Sequence, residues 1–351
     1  MRDDKKKREE AAKRRKRGPR FTDIATAAGV SEATVDRVLN ERDSVSEATR
    51  RRVLAAAARL GVRRILPQSD HALVHLDILL PKNDTPFFRR LTAALRDSTA
   101  MLDRRVVVHR TTLPEGDTFA MAEAIRHPPH LRAGFILAAP DLPLIRGAVS
   151  DALARGEMGV AVVADLPDLP GLAYVGIDNR QAGVAAGNLM GRMTHRLGRV
   201  IVLGCTPAFR AHGDRQDGFR DALAEFPHLT FDLVDADTRD DPERCFYGVR
   251  RALSAPGTPV VGIYNSGAGS EGIARALASH AGSRPNWIGH EITDDHIGLL
   301  RQGVMDVAID QDPQGQAFAA LQRILHMTGI TDRPPSTPRG ELRVYTRFVL
   351  P

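Results

Sequence analysis

The sequence predicts an α/β protein in which a small all-α domain is followed by two doubly wound lobes of parallel sheet. Three observations carry this. Residues 21–40, FTDIATAAGVSEATVDRVLN, read as two short helices joined at a glycine. From about residue 73, short apolar strands alternate with helical segments, and the rhythm restarts after GLAYVGIDN, so two βαβ runs follow one another. Charge divides at the same place: residues 1–66 hold 19 Lys and Arg against 10 Asp and Glu, the remainder 30 against 33, for a net +6.

The first 20 residues form a low-complexity basic tail, RDDKKKREEAAKRRKRGPR after Met1, suited to non-specific attraction to phosphate. A three-helix domain is expected over 21–61. Ile24 and Ala28 share one face, Gly29 supplies the positive φ of a tight turn, and Ser31 can cap the second helix. Val35, Val38 and Leu39 form the inner stripe of that helix. A third helix begins at Ser46, turns Val53, Leu54, Ala57 and Leu60 inward, and stops at Gly61.

Opposite the inner stripe of the second helix stand Glu32, Ala33, Asp36 and Arg37, where a helix-turn-helix offers side chains to the major groove. Arg37 is the expected base reader, because a guanidinium can fork onto guanine O6 and N7. Ser31, Thr34, Asn40, Ser46 and Thr49 are short polar groups near helix starts, suited to phosphate oxygens that set register. A plain helical bundle with ordinary caps is the competing reading of the same spacing.

These residues resemble the DNA-binding domain of the LacI/GalR family of bacterial transcription regulators. The shared positions are Asp23, Ala25, Ala28, Gly29, Val30, Ser31, Thr34, Val35, Arg37, Val38, Leu39 and Asn40, with a V-S-x-x-T-R stretch at Val45 to Arg50. Asp36 departs from the usual Ser, so the operator sequence does not carry over. The resemblance implies a linker over 62–72, where Leu66 would serve as an apolar minor-groove wedge with Arg63 and Arg64 on phosphate. Pro67, Ser69 and Asp70 are poor material for the short hinge helix that the family usually forms there.

The second module, 73–351, begins with LVHLDILLP, the helix FFRRLTAALRDSTAML, the strand RRVVVHR, a helix near 117–126 and the strand AGFILAA. After GLAYVGIDN come GVAAGNLMGRMTHRLG, RVIVLGC, RQDGFRDALAEF, LTFDLVDA, a helix near 242–254 and VVGIYNS. Right-handed crossovers make such runs parallel sheets with helices on both faces, and ligands then sit beyond the carboxyl ends of the strands. The residues at those ends are polar and aromatic: Asn83, Phe87 and Phe88 after the first strand, then Asp141, Arg215, Asn265, His290, Glu291 and Gln311. Carboxylate, amide and guanidinium groups beside an aromatic face form the donor and acceptor set that a carbohydrate needs.

This segment is similar to the type I periplasmic binding proteins, the fold of the family's effector domain, and in particular to ribose-type members. The resemblance implies that the chain crosses between lobes near 176–179, 304–312 and 330–341. The first lobe then comprises about 73–176 plus 309–332, and the second about 177–308 plus 333–351. Glu291 stands where the family usually carries Asp, so the identity of the sugar does not carry over, and a polyol, an inositol or a smaller or acidic ligand stays open beside a sugar as the effector.

No G-x-G-x-x-G follows the first strand, and GAGSEG at 267–272 comes too late in the chain, so those glycines are expected to open a helix beside the pocket. No nucleophile and base stand in a recognisable local arrangement, so no enzyme, catalytic residue, metal or cofactor is expected. Cys205 and Cys245 lack metal-type spacing and are read as reduced thiols. With no apolar stretch of membrane-spanning length and no signal-peptide core, a cytoplasmic location is expected. The expected partners are double-stranded operator DNA, a small polyhydroxylated effector and a second copy of the chain, as a homodimer or a tetramer. A sugar-binding solute receptor without regulatory role is the alternative. It would share the second module but not the first.

Overall fold

The computed structural model describes residues 21–39, 45–60, 73–204, 209–235, 238–332 and 340–351. The chain divides into two compact units, Met1–Ala72 and Leu73–Pro351.

In the first unit, helices α1 (Phe21–Ala28), α2 (Glu32–Leu39) and α3 (Glu47–Arg59) enclose one small core of Ile24, Ala25, Ala28, Val35, Val38, Leu39, Val53, Ala56 and Ala57. Gly29 takes φ 63° between α1 and α2, the left-handed value its position requires. Ser31 Oγ accepts from Thr34 N at 3.2 Å, the expected cap. Leu60 departs from expectation at 37% exposed, because α3 has ended at Arg59 and the core is completed by Ala56 instead.

The second unit contains two sheets. The first has the order β2-β1-β3-β4-β5, from β1 (Val74–Lys82), β2 (Val106–Pro114), β3 (Gly134–Leu137), β4 (Met158–Val162) and β5 (Leu172–Val175), all parallel. Its connections are α4 (Pro86–Thr99), α5 (Thr118–Arg126) and α6 (Pro143–Ala154). The second sheet repeats the winding: β6 (Gly198–Leu203), β7 (Leu229–Asp235), β8 (Val260–Asn265), β9 (Asn286–His290) and β10 (Val307–Asp310) lie in the order β10-β9-β8-β6-β7. A short antiparallel strand, β11 (Arg343–Tyr345), is added beside β10. Helices α7 (Asn179–Met193), α8 (Arg210–Leu223), α9 (Pro242–Ser254), α10 (Ser270–Ala278) and α11 (Asp294–Gln302) cover this sheet. Every residue of β3, β8 and β10 is buried, as strands covered on both faces demand.

The lobes are discontinuous. After β10 the chain returns to the first lobe as α12 (Pro313–Met327), whose Ala317, Ala320, Leu321 and Ile324 join Leu76, Ile78 and Leu91 in one core. Because β10 continues to Asp310 in the second sheet, this crossing falls about two residues later than the expected break at 308/309. Asp178 Oδ1 accepts from Gln181 N at 3.0 Å and so caps α7 at the first crossing. Gly340 N donates to Gly176 O at 2.9 Å, which sets the end of the third crossing beside the first, although most of that third segment lies outside the described residues.

Helices α7 and α8 pack backbone against backbone. A Cβ on Gly183 would stand 2.0 Å from Arg215 O, and one on Gly218 would stand 2.1 Å from Arg180 O. Only hydrogen fits at either position, so the two helices behave as one slab that carries Asn179 and Arg215 together.

Candidate functional site

The first unit places Ser31, Glu32, Ala33 and Arg37 on the exposed side of α2, with Thr34 and Asp36 half-buried at its margin. The capping hydroxyls are already engaged, since Ser31 Oγ lies 2.9 Å from Thr34 Oγ1, and Ser46 Oγ donates to Thr49 Oγ1 at 3.0 Å. Each hydroxyl oxygen retains a lone pair or donor for a further partner. Arg51 and Arg52 on α3 are exposed cations that the sequence reading passed over, although the run TRRR signals them. Asn40, Leu66, Arg63 and Arg64 lie outside the described residues.

In the second unit a cleft of 1010 Å³ opens at the carboxyl ends of both sheets. The first lobe supplies the turn after β1, including Asn83, Phe87 and Phe88, and the second supplies Arg215, His290, Glu291 and Gln311. Seven of the nine expected ligand residues therefore share one wall or the other. Phe87 and Phe88 meet edge to face at 5.5 Å, and Phe88 faces Phe209 of the second lobe at 6.4 Å, which gives the cleft an aromatic side. The glycines at 267–272 do open a helix there: Gly269 has φ 88° and caps α10, and Gly267, Gly269 and Ser270 line the cleft.

Arg215 is buried on α8, where Nε donates to Asn179 Oδ1 and Nη1 to Ser266 O, each at 2.8 Å. That fixes the guanidinium plane. Gln311 Nε2 donates to Glu291 Oε1, and Tyr264 Oη stands 2.9 Å from His290 Nε2. Three further atoms of these residues, His290 Nδ1, Glu291 Oε2 and Gln311 Oε1, are buried without a hydrogen-bond partner. Leaving such groups unmade costs about 1–3 kcal/mol each, so their convergence on a cleft marks a place shaped for a polar guest.

Beside the Arg215 guanidinium, burial holds several ionisable groups of the cleft in their neutral forms. Burial, reinforced by the charge of Asp310, pushes the Glu291 carboxyl up to about 8. Arg90 Nη1 lies 3.5 Å from Glu291 Oε2, but this guanidinium is committed to Asp310 at 2.6 Å and leaves Glu291 protonated at neutral pH. Burial opposes ionisation of Asp310 too, yet the Arg90 hydrogen bond and the Ile292 N–H prevail and hold it below the ordinary range. Burial and the nearby Arg215 depress His212 to about 4 and lower His290 as well.

Two expected ligand residues stand apart from the lining. Asn265 is wholly buried and donates from Nδ2 to Gly267 O at 3.0 Å and Ala268 O at 2.9 Å, so its amide shapes the loop before α10. Asp141 accepts from Arg146 Nη1 at 3.0 Å and lies 3.8 Å from Arg210 Nη1, an ion pair that spans the lobes. Asn83, though in the lining, spends its amide on Glu115 Oε1 at 3.0 Å and Thr85 N at 2.9 Å.

His212, His296 and Asp240 line the cleft without having been singled out. His212 Nδ1 donates to Ser266 O at 3.1 Å, which leaves Nε2 as an acceptor. His296 Nδ1 donates to Glu291 O at 2.5 Å, so its Nε2 accepts from Ser270 Oγ at 2.7 Å. The one available signal for His212 was its place a helical turn before Arg215.

Comparison with known proteins agrees with both units. Residues 77–328 match the family model described as periplasmic binding protein domain, and residues 20–63 match that of bacterial regulatory proteins, lacI family. The chain is similar to the ribose operon repressor of Bacillus subtilis (strain 168), 45% identical over 80 residues, or 21% of this chain and 24% of that protein. It is also similar to the HTH-type transcriptional regulator MalR of Streptomyces coelicolor, 45% identical over 78 residues, 22% of each chain. The matched stretch thus spans about a quarter of the length of these curated relatives. Among solved structures, GanP, a glucose-galactose binding protein from Geobacillus stearothermophilus, superposes with a TM-score of 0.69 at 18% identity, covering 80% of this chain and 99% of that one. A solute-binding protein from Burkholderia graminis C4D1M in complex with D-arabinose gives 0.69 at 18% identity, covering 80% and 98%. Likeness at this identity speaks to the fold. No helix among the described residues is long and apolar enough to cross a membrane.

Proposed function

The chain belongs to the LacI family of bacterial regulatory proteins, a helix-turn-helix domain joined to a periplasmic-binding-protein domain, and from that premise we propose a sequence-specific repressor whose DNA affinity is set by a small carbohydrate or polyol. The family is one of regulators and not of enzymes. Two copies of the chain would bring two α2 helices to the halves of an approximately palindromic operator, with Arg37 reading a guanine in each half.

The observation that carries the effector assignment is the set of buried atoms without hydrogen-bond partners, His290 Nδ1, Gln311 Oε1 and Glu291 Oε2, the last with only a 3.5 Å contact to Arg90, beside the fixed Arg215. A polyol offers hydroxyls that donate and accept at adjacent carbons, which suits an imidazole nitrogen, an amide oxygen and a neutral carboxyl in one small volume. The aromatic side formed by Phe87 and Phe88 suits the C–H face of a sugar ring. Neutral Glu291 and His290 can exchange hydrogen bonds with hydroxyls, and the Arg215 guanidinium can donate to a hydroxyl or ring oxygen.

Calorimetry of the purified chain against pentoses, hexoses, inositols and polyols, paired with electrophoretic mobility shifts on upstream DNA fragments, tests both halves. Arg215→Ala is expected to weaken effector binding at least about tenfold with operator affinity unchanged. Arg37→Ala is expected to cost about 1–3 kcal/mol of operator discrimination and leave effector binding intact. Absence of any preferred DNA fragment, or loss of both activities from either single change in folded protein, would sink the reading.

A further inference from the structure

On the opposite side of the first lobe's sheet from α4 and α12, three histidines meet far from one another in sequence. His75 and Asp77 project from β1 to the same face, and β1 pairs with the edge strand β2 so that Asp77 lies across from His109. His130 arrives from the segment between α5 and β3. The three side chains are half-buried, and one ring nitrogen from each lies within 4.8 Å of the others. His75 Nδ1 and His109 Nε2 are 2.9 Å apart, and the rings of His109 and His130 stack at 3.8 Å.

What surrounds the cluster is more ordered than a surface group of imidazoles needs. Asp77 is buried and holds His130 Nε2 on one oxygen at 2.8 Å, while its other oxygen accepts from Arg132 Nη1 at 2.8 Å. Arg132, also buried, is itself fixed by Glu157 at 2.6 Å and by Ile125 O at 2.5 Å. A carboxylate that orients a histidine from behind, and is oriented in turn, is the arrangement that positions imidazole ligands at metal centres. A cavity of 590 Å³ opens beside the cluster, lined by Asp77, His109, Thr111 and His130, and gives a hydrated ion a way in.

We propose that His75, His109 and His130 form a binding site for a divalent first-row transition ion such as Zn²⁺, separate from the effector cleft. Three neutral imidazoles plus one open position for water match the donor preference of such ions, whereas Ca²⁺ and Mg²⁺ favour oxygen cages. Coordination requires the proton between His75 and His109 to move to an outer ring nitrogen and the inner nitrogens to turn toward one point. The ligands are separated by 34 and 21 positions in the chain, which explains why no metal spacing is visible in the sequence. The site does not depend on the effector or operator assignments.

Untagged, chelator-stripped protein titrated with Zn²⁺ in a calorimeter, and with Co²⁺ while the visible d–d bands are recorded, decides the matter. Wild-type chain is expected to take up one ion, to develop Co²⁺ bands of nitrogen ligation and to melt at a higher temperature with Zn²⁺. His109→Ala, on the edge strand, and His130→Asn are each expected to lower affinity at least about tenfold and abolish the Zn²⁺-induced thermal shift. His195→Ala, an exposed histidine elsewhere, is expected to change nothing. Equal Zn²⁺ affinity in wild type and His109→Ala, or no saturable binding by wild type, overturns the proposal.

Discussion

Glu291 shows how one side chain couples burial to chemistry. Its backbone adopts φ 70°, its amide is tied to Ile309 O at 2.8 Å, and its carboxyl is held near 8 against an ordinary value of 4.5. The folded chain therefore binds a proton that the unfolded chain releases, so stability contributed by this group is complete below about pH 4.5 and is lost as pH rises through about 8. Buried His290 and His296 and half-buried His212 act in the opposite sense: their neutral forms are favoured by folding, and stability falls as pH drops below their ordinary 6.5. Between pH 6.5 and 8 the carboxyl is thus isolated. Thermal melts across that interval are expected to show a declining midpoint in wild type and a flatter profile in Glu291→Gln; parallel profiles would place the carboxyl in its charged form. At this scale the sequence was legible for residue type and chain position but not for side-chain direction. Asp141 and Asn265 follow strands as ligand residues should, yet Arg146 and the distant Arg210 claim one and the carbonyls of Gly267 and Ala268 claim the other, choices of side-chain direction that strand position does not dictate.

Among elements, the local signals were read well because local geometry produces them. Gly29 with Ser31 two residues on fixes the turn and start of α2, and the helix expected near 242–254 is α9. Strands β3, β8 and β10 stood out because cover on both faces makes them apolar almost throughout. What could not be read is which helix pairs need glycine. Gly183 and Gly218 look like ordinary helix-interior glycines in sequence, and only the approach of α7 to α8 explains them. Gly183→Ala must push α8 outward and carry Arg215 with it. Overpacking of this kind is expected to cost about 1–3 kcal/mol of stability and to weaken the effector more than an alanine at Gly213, whose added Cβ meets nothing within 4 Å. Denaturant melts and effector calorimetry on both variants check this; equal effects would deny that the slab positions the guanidinium.

At the scale of the whole molecule, effector and operator can influence each other only if the effector favours one arrangement of the lobes over another, with coupling typically about 1–3 kcal/mol, and the influence is reciprocal. Among the contacts that bridge the lobes are the Phe88 and Phe209 rings, Asp141 with Arg210, and Arg90 with Asp310. Arg90, on α4, reaches Asp310 Oδ1 at 2.6 Å, Ile292 O at 3.1 Å and Gln314 Oε1 at 3.1 Å. Removing it in Arg90→Ala is expected to cost about 1.5–3 kcal/mol in the arrangement that contains the bridge. Small-angle scattering is expected to report a more open effector unit in that variant, and an unchanged profile would deny the bridge its role.

Because Arg90 joins the lobes from outside the cleft lining yet stands 3.5 Å from Glu291 Oε2, the proposed regulator cannot retune its threshold at that arginine without also altering the polarity of its pocket. On that reading, changes at Arg90 would slide the dose at which a cell responds and shift the menu of recognised molecules together, so tuning to a richer or poorer habitat carries a change of diet with it.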